Sequence, residues 1–239
     1  SFKMPELHKA GVAYLLAIGH FFYQSAGFVK FYNDQYAYWK CIPLLVLISF
    51  VAIHGGVPTK TRTLLAIALA AGSVGDFVIG SAHDGIVPGA VAFGIGHIIN
   101  MLTFAPETRR ICWPLAGAVL ALNAVVGHFC VFPILEKSVI DVVILSVYSC
   151  LLAAALIVAA SQCFYGSSVH PAYAHGLKWR LLGYALFYLS DNILIIDHTV
   201  FSVPFAEHLC LSTYFAAQYL LVRAAVSCEK HKPKKSKSS

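Results

Sequence analysis

The sequence predicts an all-α polytopic membrane protein with eight transmembrane helices in one bundle. Hydrophobic residues make up 59% and charged residues 12% of the chain, whereas charged residues form about 25% of a typical soluble domain. The mean hydropathy is +0.73. Successive apolar runs approach the length of about 20 residues that lets a helix cross a bilayer. These features exclude a soluble globular protein, and the short connections leave no room for a separate soluble domain.

Eight apolar runs define the predicted spans in chain order. They cover residues 12–29, 41–53, 63–79, 87–104, 111–132, 139–160, 181–196 and 206–226. Pro43, Pro88 and Pro114 fall near the starts of their spans, where a missing backbone N–H is tolerated. The longest connection, residues 161–180, contains GSSVHPAYAHG. This composition of Gly, Ser and Pro predicts a loop.

The distribution of basic residues predicts the orientation in the membrane. If both termini are cytosolic, only Lys30, Lys40 and Lys137 of the 17 Lys and Arg residues fall on the opposite side. Such an excess of positive charge is typical of cytosolic segments. We therefore expect cytosolic N- and C-termini, a membrane domain over residues 1–226 and a basic, disordered cytosolic tail over residues 227–239.

Two carboxylates within apolar runs are the candidate catalytic residues. Asp76 lies in GSVGDFVIG and Asp191 lies in LSDNILII. An ionisable side chain in hydrocarbon costs about 2.5–3.5 kcal/mol on insertion scales, so it normally faces a bundle interior, a partner or a water-filled cavity. Asp76 is expected roughly 20 Å from the cytosolic end of its span, and Asp191 roughly 15 Å into the seventh span. A shared pocket is the functional hypothesis, and interhelical hydrogen bonding alone is the structural alternative.

Further polar residues at similar depths are expected to bind or orient a substrate. They are His97, Asn100, Tyr188, Tyr214 and Gln218. Helical spacing places His97 and Asn100 on one face, and it likewise pairs Tyr214 with Gln218. Each could instead serve only as a hydrogen-bond partner between helices. Lys40 is expected near the outer interface, where its ammonium group either meets a lipid phosphate or anchors the helix at the surface.

Five short segments, taken together, resemble one protein family. They are WKCIPLL at 39–45, GD at 75–76, FGIGH at 93–97, LSDNIL at 189–194 and TYFAAQYLL at 213–221. Their order and spacing resemble the successive motifs of the YhhN-like family of eight-helix membrane proteins, over about residues 1–226. Asn100 departs from the aromatic residue, commonly Tyr, that is expected after the GH motif. This departure bears on substrate choice more than on the chemistry.

The resemblance implies an enzyme. Characterised members of the family are lysoplasmalogenases, which hydrolyse the vinyl ether bond of lysoplasmalogens and release a fatty aldehyde and glycerophospho-ethanolamine or -choline. Asp76 and Asp191 would then correspond to the family's motif aspartates, in a catalytic domain over residues 1–226. The partners so implied are the lysophospholipid substrate and membrane lipids, without nucleic acid, and a homodimer is left open. We expect an integral protein of the endoplasmic reticulum.

Buried carboxylates suit vinyl ether hydrolysis. Protonation of the alkenyl carbon gives an oxocarbenium ion, which water captures as a hemiacetal that collapses to aldehyde and alcohol. One aspartate can donate the proton while the other stabilises the cation or activates water, and either Asp76 or Asp191 could be the acid. No cofactor is expected, and no metal site is predicted because the spans contain neither HxxxH nor HExxH. A proton-coupled carrier or a non-catalytic lipid-binding protein is the alternative function.

Overall fold

The computed structural model describes residues 4–54, 57–166 and 171–231 and forms eight α-helices within those ranges. Their bounds are α1 Met4–Gln24, α2 Asp34–His54, α3 Thr59–Ser81, α4 Ile86–Phe104, α5 Trp113–Val126, α6 Val139–Tyr165, α7 Pro171–Thr199 and α8 Ala206–Lys230. After α5 the chain continues through a π-helical turn, Gly127–Val131, and a 3-10 turn, Phe132–Glu136. The prediction of an all-α fold is confirmed.

Six of these eight helices, counted over the described residues, are long and apolar enough to cross a membrane. They are α2, α3, α4, α5 together with its following turns, α6 and α8. α7 has 29 residues but carries the charged side chains Lys178, Arg180, Asp191 and Asp197. The chain is thus a polytopic membrane protein, and the full count of eight spans stays a prediction.

Several helix boundaries differ from the predicted spans. α2 begins at Asp34, well before the predicted start at residue 41. The Asp34 carboxylate in the first turn stabilises this helix start, because a negative charge interacts favourably with the positive end of the helix dipole. α1 ends at Gln24 rather than at residue 29. It stops there because Ala26, Gly27 and Phe28 all adopt positive φ, a conformation that cannot continue a right-handed helix.

The predicted loop over residues 161–180 is wrong. α6 continues to Tyr165 and α7 begins at Pro171, because proline fits the first position of a helix, where its missing N–H costs nothing. Residues 167–170 of that segment lie outside the described residues. α8 continues to Lys230, past the predicted end at residue 226. Residues 232–239 of the predicted tail also lie outside the described part of the chain.

The helices surround a common core. α3 lies between α2 and α4, and α6 packs against both α4 and α7. α7 packs most extensively against α8. α8 also contacts α1 and α2, while α5 packs mainly on α6 at the outside. Large side chains such as Leu44, Leu65, Phe104 and Phe215 are fully buried in this core. The outer surface is apolar as well, with Leu16 70% exposed, as expected for helices that face lipid.

Glycines allow α3 and α4 to approach each other closely. A Cβ atom added at Gly96 of α4 would lie 3.0 Å from the backbone oxygen of Ala68 in α3. Small residues at such positions let helix backbones pack in bilayers. Gly117 of α5 differs, because no other atom lies within 4 Å of the position its Cβ would take.

We expect Gly96→Ala to lower the melting temperature in detergent. Overpacking costs about 1–3 kcal/mol, which exceeds the roughly 1 kcal/mol that alanine gains over glycine inside a helix. Gly117→Ala is the matched control and should leave the melting temperature unchanged or raise it. Thermal unfolding of the purified variants measures both, and equal melting temperatures would contradict the close α3–α4 contact.

Candidate active site

Asp76 lies at the centre of a polar cluster built by three helices, α2, α3 and α8. Its side chain is 1% exposed. Oδ1 lies 3.4 Å from Nζ of Lys40 in α2, and Oδ2 accepts a hydrogen bond of 2.5 Å from the hydroxyl of Tyr214 in α8. Gln218, one turn further along α8, donates to the Tyr214 oxygen at 3.3 Å. Both carboxylate oxygens of Asp76 therefore have partners.

The structure places the Lys40 side chain inside the bundle, where it contacts Asp76 and not the lipid phosphate or membrane surface that the sequence suggested. Lys40 is only 7% exposed and is paired with Asp76, and its depth near the outer interface stays a prediction. The burial of Lys40 follows from the early start of α2 at Asp34. This start places Lys40 in the second turn of the helix rather than before it.

Asp191 has a different environment. It is partly buried in α7, and its Oδ2 accepts a short hydrogen bond from the hydroxyl of Tyr148 in α6. Within the described part of the chain, no Lys or Arg lies within ion-pair distance of Asp191. Asp191 also lines a cavity of about 90 Å³ between α4, α5, α6 and α7. Asp191 is the residue with a carboxyl group among those that line this cavity.

The cavity around Asp191 has an apolar wall and a polar wall. The apolar wall includes Ile79, Ile86, Phe93, Val131, Leu145 and Ile195. Asn123, Ser149 and Tyr188 form the polar wall. The Tyr188 hydroxyl donates to Oδ1 of Asn123 at 3.4 Å, and Nδ2 of Asn123 donates to Oγ of Ser149 at 3.3 Å. Such a cavity can hold an amphiphilic group beside a carboxyl group.

Sequence reasoning selected Tyr188 but missed Asn123, Tyr148 and Ser149. Asn123 is an amide within the otherwise apolar run WPLAGAVLALNAVV of α5. The cost of polar groups in hydrocarbon, which singled out Asp76, could have pointed to it. Tyr148 and Ser149 lie in the long apolar α6, where a tyrosine or serine carries little signal by itself.

Asp76 and Asp191 do not line one shared cavity, contrary to the predicted common pocket. Phe93 of α4 lies between them, since its ring lines the Asp191 cavity and also packs edge-on against Tyr214, the partner of Asp76. Lys40 lies 3.4 Å from Asp76 but forms no ion pair with Asp191 among the described residues. The bundle therefore holds the two carboxylates in separate hydrogen-bond clusters.

His97 and Asn100 line a second, smaller cavity of about 30 Å³, together with Gln218. Their predicted common face on α4 is confirmed by this arrangement. His97 is 4% exposed, and its Nε2 has no hydrogen-bond partner among the described residues. Asn100 donates to the Tyr184 hydroxyl oxygen at 2.8 Å. A cavity of this size has room for about one or two water molecules.

The fold and the site define a class of protein. It is a polytopic helical membrane protein with two carboxylates held in the bundle, one of them ion-paired and the other facing a cavity. Within this class the chain belongs to the YhhN family, whose model matches residues 35–225. The resemblance seen in the five motifs is thereby confirmed.

Curated relatives are similar over most of the chain. Lysoplasmalogenase TMEM86A from Bos taurus is 27% identical over 203 residues, covering 78% of this chain and 76% of the relative. Lysoplasmalogenase TMEM86B from Mus musculus is 29% identical over 202 residues, covering 78% of this chain and 74% of the relative. No solved structure gives a significant match.

We expect Lys40→Met to destabilise the protein strongly. Removing one member of a buried ion pair strands the other charge and costs about 3–5 kcal/mol. The double variant Lys40→Met, Asp76→Asn should recover most of this loss, because both charges are then gone. Melting temperatures in detergent for the complete double-mutant cycle measure the coupling.

Lys137→Met is the matched control, since Lys137 is exposed. It should leave the melting temperature unchanged, as surface charges contribute little. Additive effects of Lys40→Met and Asp76→Asn, with no recovery in the double variant, would contradict the ion pair.

Proposed function

We propose that the protein is a lysoplasmalogenase, a hydrolase that cleaves the vinyl ether bond of 1-alkenyl-glycerophospho-ethanolamine or -choline. The products are a fatty aldehyde and glycerophospho-ethanolamine or -choline. Membership of the YhhN family and the names of the relatives support this activity. The observation that carries the proposal is the position of Asp191, a carboxyl group without a cation partner among the described residues, in a largely apolar cavity between lipid-facing helices.

Asp191 is assigned as the proton donor. A proton donor needs a carboxyl group beside the reacting carbon, and Asp191 lines the largely apolar cavity without any cation at ion-pair distance among the described residues. Tyr148 holds Oδ2 in place, which leaves Oδ1 to deliver a proton to the alkenyl carbon. The π electrons of the vinyl ether form the new C–H bond with this proton, the O–H electrons remain on the Asp191 carboxylate, and the adjacent ether carbon becomes an oxocarbenium ion.

Asp76 is assigned as a fixed negative charge. The ammonium group of Lys40 and the hydroxyl of Tyr214 both stabilise its ionised form. Asp76 does not line the cavity of Asp191, so its role is to stabilise the developing positive charge from a distance, as oriented charges do in water-poor sites. In this proposal Asp191 is the acid and Asp76 is the fixed charge.

Water completes the reaction. A water molecule adds to the oxocarbenium carbon and returns a proton to the Asp191 carboxylate, giving a hemiacetal. The hemiacetal then breaks its bond to the glycerol oxygen, which takes up the hydroxyl proton, and the aldehyde is released. The polar cavity of His97, Asn100 and Gln218 adjoins Phe93 and is suited to hold and orient such water.

The proposed enzyme acts on a substrate that resides in the membrane. A lysolipid keeps its chain in the bilayer, so a cavity bounded by α5 and α6 at the outside of the bundle can receive it laterally. The basic residues support cytosolic termini with the basic tail in the cytosol. We place the catalytic domain over residues 1–226 in the membrane of the endoplasmic reticulum.

We expect the purified protein to release fatty aldehyde from a lysoplasmalogen. Asp191→Asn should lower the rate by at least about 100-fold, the usual contribution of a general acid. Asp76→Asn should also lower it, and is best compared in the Lys40→Met background, where no unpaired ammonium group remains. Aldehyde trapping, with the melting temperature of each variant as a folding check, measures these rates.

Asp84→Asn is the control, because Asp84 is an exposed aspartate and its substitution should not change the rate. Full activity in folded Asp191→Asn would exclude Asp191 as the acid. A parent protein that binds or moves the lysolipid and returns it intact would refute the hydrolase and favour a carrier or lipid-binding protein.

A further inference from the structure

We propose that Asn123, Ser149 and Tyr188 bind the free sn-2 hydroxyl of the substrate and thereby select lysoplasmalogens over lipids that lack this hydroxyl. This inference rests on the proposed function. These three side chains line the same cavity as Asp191 and have no part in the proposed proton transfer. Asn192 lines the cavity as well, but its amide N–H is already bonded to the Tyr188 carbonyl oxygen. The position and the hydrogen-bonding capacity of the three side chains both fit a secondary alcohol.

Tyr188 and Asp191 lie one turn apart on the same face of α7, and both line the cavity. In a lysoplasmalogen the protonated alkenyl carbon is five covalent bonds from the sn-2 oxygen, which spans roughly 5–6 Å at ordinary bond lengths. A substrate with its alkenyl carbon at Asp191 can therefore place its sn-2 hydroxyl elsewhere within the same cavity, where the polar wall lies.

The polar wall can accept and donate, as an alcohol requires. Asn123 offers a carbonyl oxygen and an amide N–H, and Tyr188 offers a hydroxyl. The bonds that join these groups to one another are long, at 3.4 Å between Tyr188 and Asn123 and 3.3 Å between Asn123 and Ser149. Both exceed the usual range of about 2.5–3.2 Å. The groups can thus exchange them for shorter bonds to a ligand hydroxyl.

This arrangement explains how a 2-acyl lipid is excluded. An ester oxygen at the sn-2 position has no proton to donate, so the acceptor oxygen of Asn123 loses a partner on binding. A site built to bind a hydroxyl discriminates strongly against a ligand without one, because its buried polar groups are left unpaired. The second acyl chain also has to fit beside the first in a cavity of about 90 Å³.

The test compares two substrates that share the vinyl ether: a lysoplasmalogen and its 2-deoxy analogue, which lacks only the sn-2 hydroxyl. For the parent protein we expect kcat/KM to favour the lysoplasmalogen by at least about tenfold. Asn123→Leu, which is nearly isosteric, should reduce this ratio toward one, and Ser149→Ala should reduce it partly. The ratio of the two kcat/KM values is the readout, because a purely structural defect lowers both values together.

Ser146→Ala is the matched control on the same helix, since Ser146 does not line the cavity. It should retain the ratio of the parent. An active Asn123→Leu variant with the ratio of the parent, or with equal losses on both substrates, would overturn the inference while leaving the hydrolase intact. Failure of the parent to release aldehyde from either substrate would instead refute the proposed function itself.

Discussion

The structure depends on one electrostatic constraint: a carboxylate inside a membrane bundle needs partners for both of its oxygens. Asp76 obtains them from two neighbouring helices, with Lys40 of α2 on one oxygen and Tyr214 of α8 on the other. These contacts bring α2, α3 and α8 together around a point with almost no solvent exposure. Because a stranded charge costs several kcal/mol, about 3–5 by comparison with other buried pairs, the cluster specifies how these helices are arranged.

The second carboxylate follows a different rule. Asp191 accepts a hydrogen bond from the Tyr148 hydroxyl and otherwise faces a cavity. The cavity leaves space beside the carboxyl group for a reacting group. A fully paired Asp76 is suited to a constant charge, and a partly open Asp191 to a proton that moves. This asymmetry comes from the surroundings, since the two side chains are chemically identical.

The sequence was sufficient to predict the helices and the residues that hydrocarbon makes costly, such as Asp76, Asp191 and Gln218. Each of these residues is polar within an apolar segment, and this contrast is visible in the local sequence alone. The partners were harder to predict. The pairing of Lys40 with Asp76 was missed because the start of α2 depends on Asp34 and not on the apolar run, and Asn123 and Tyr148 acquire their roles only once α5, α6 and α7 are neighbours. Helix order in a bundle depends on packing between distant segments, and hydropathy carries no information about it.

Phe93 lies between the clusters around Asp76 and Asp191. A Cβ atom added at Gly75 would lie 2.6 Å from the Phe93 ring, so the glycine beside Asp76 makes room for this phenylalanine. The ring packs against Tyr214 on one side and lines the Asp191 cavity on the other. It therefore separates the two carboxylates with an apolar layer, through which charge acts but hydrogen bonds do not pass. Each aspartate keeps its own hydrogen-bond partners, Tyr214 for Asp76 and Tyr148 for Asp191. In the proposed mechanism, that separation lets Asp76 stay ionised while Asp191 acts as the acid.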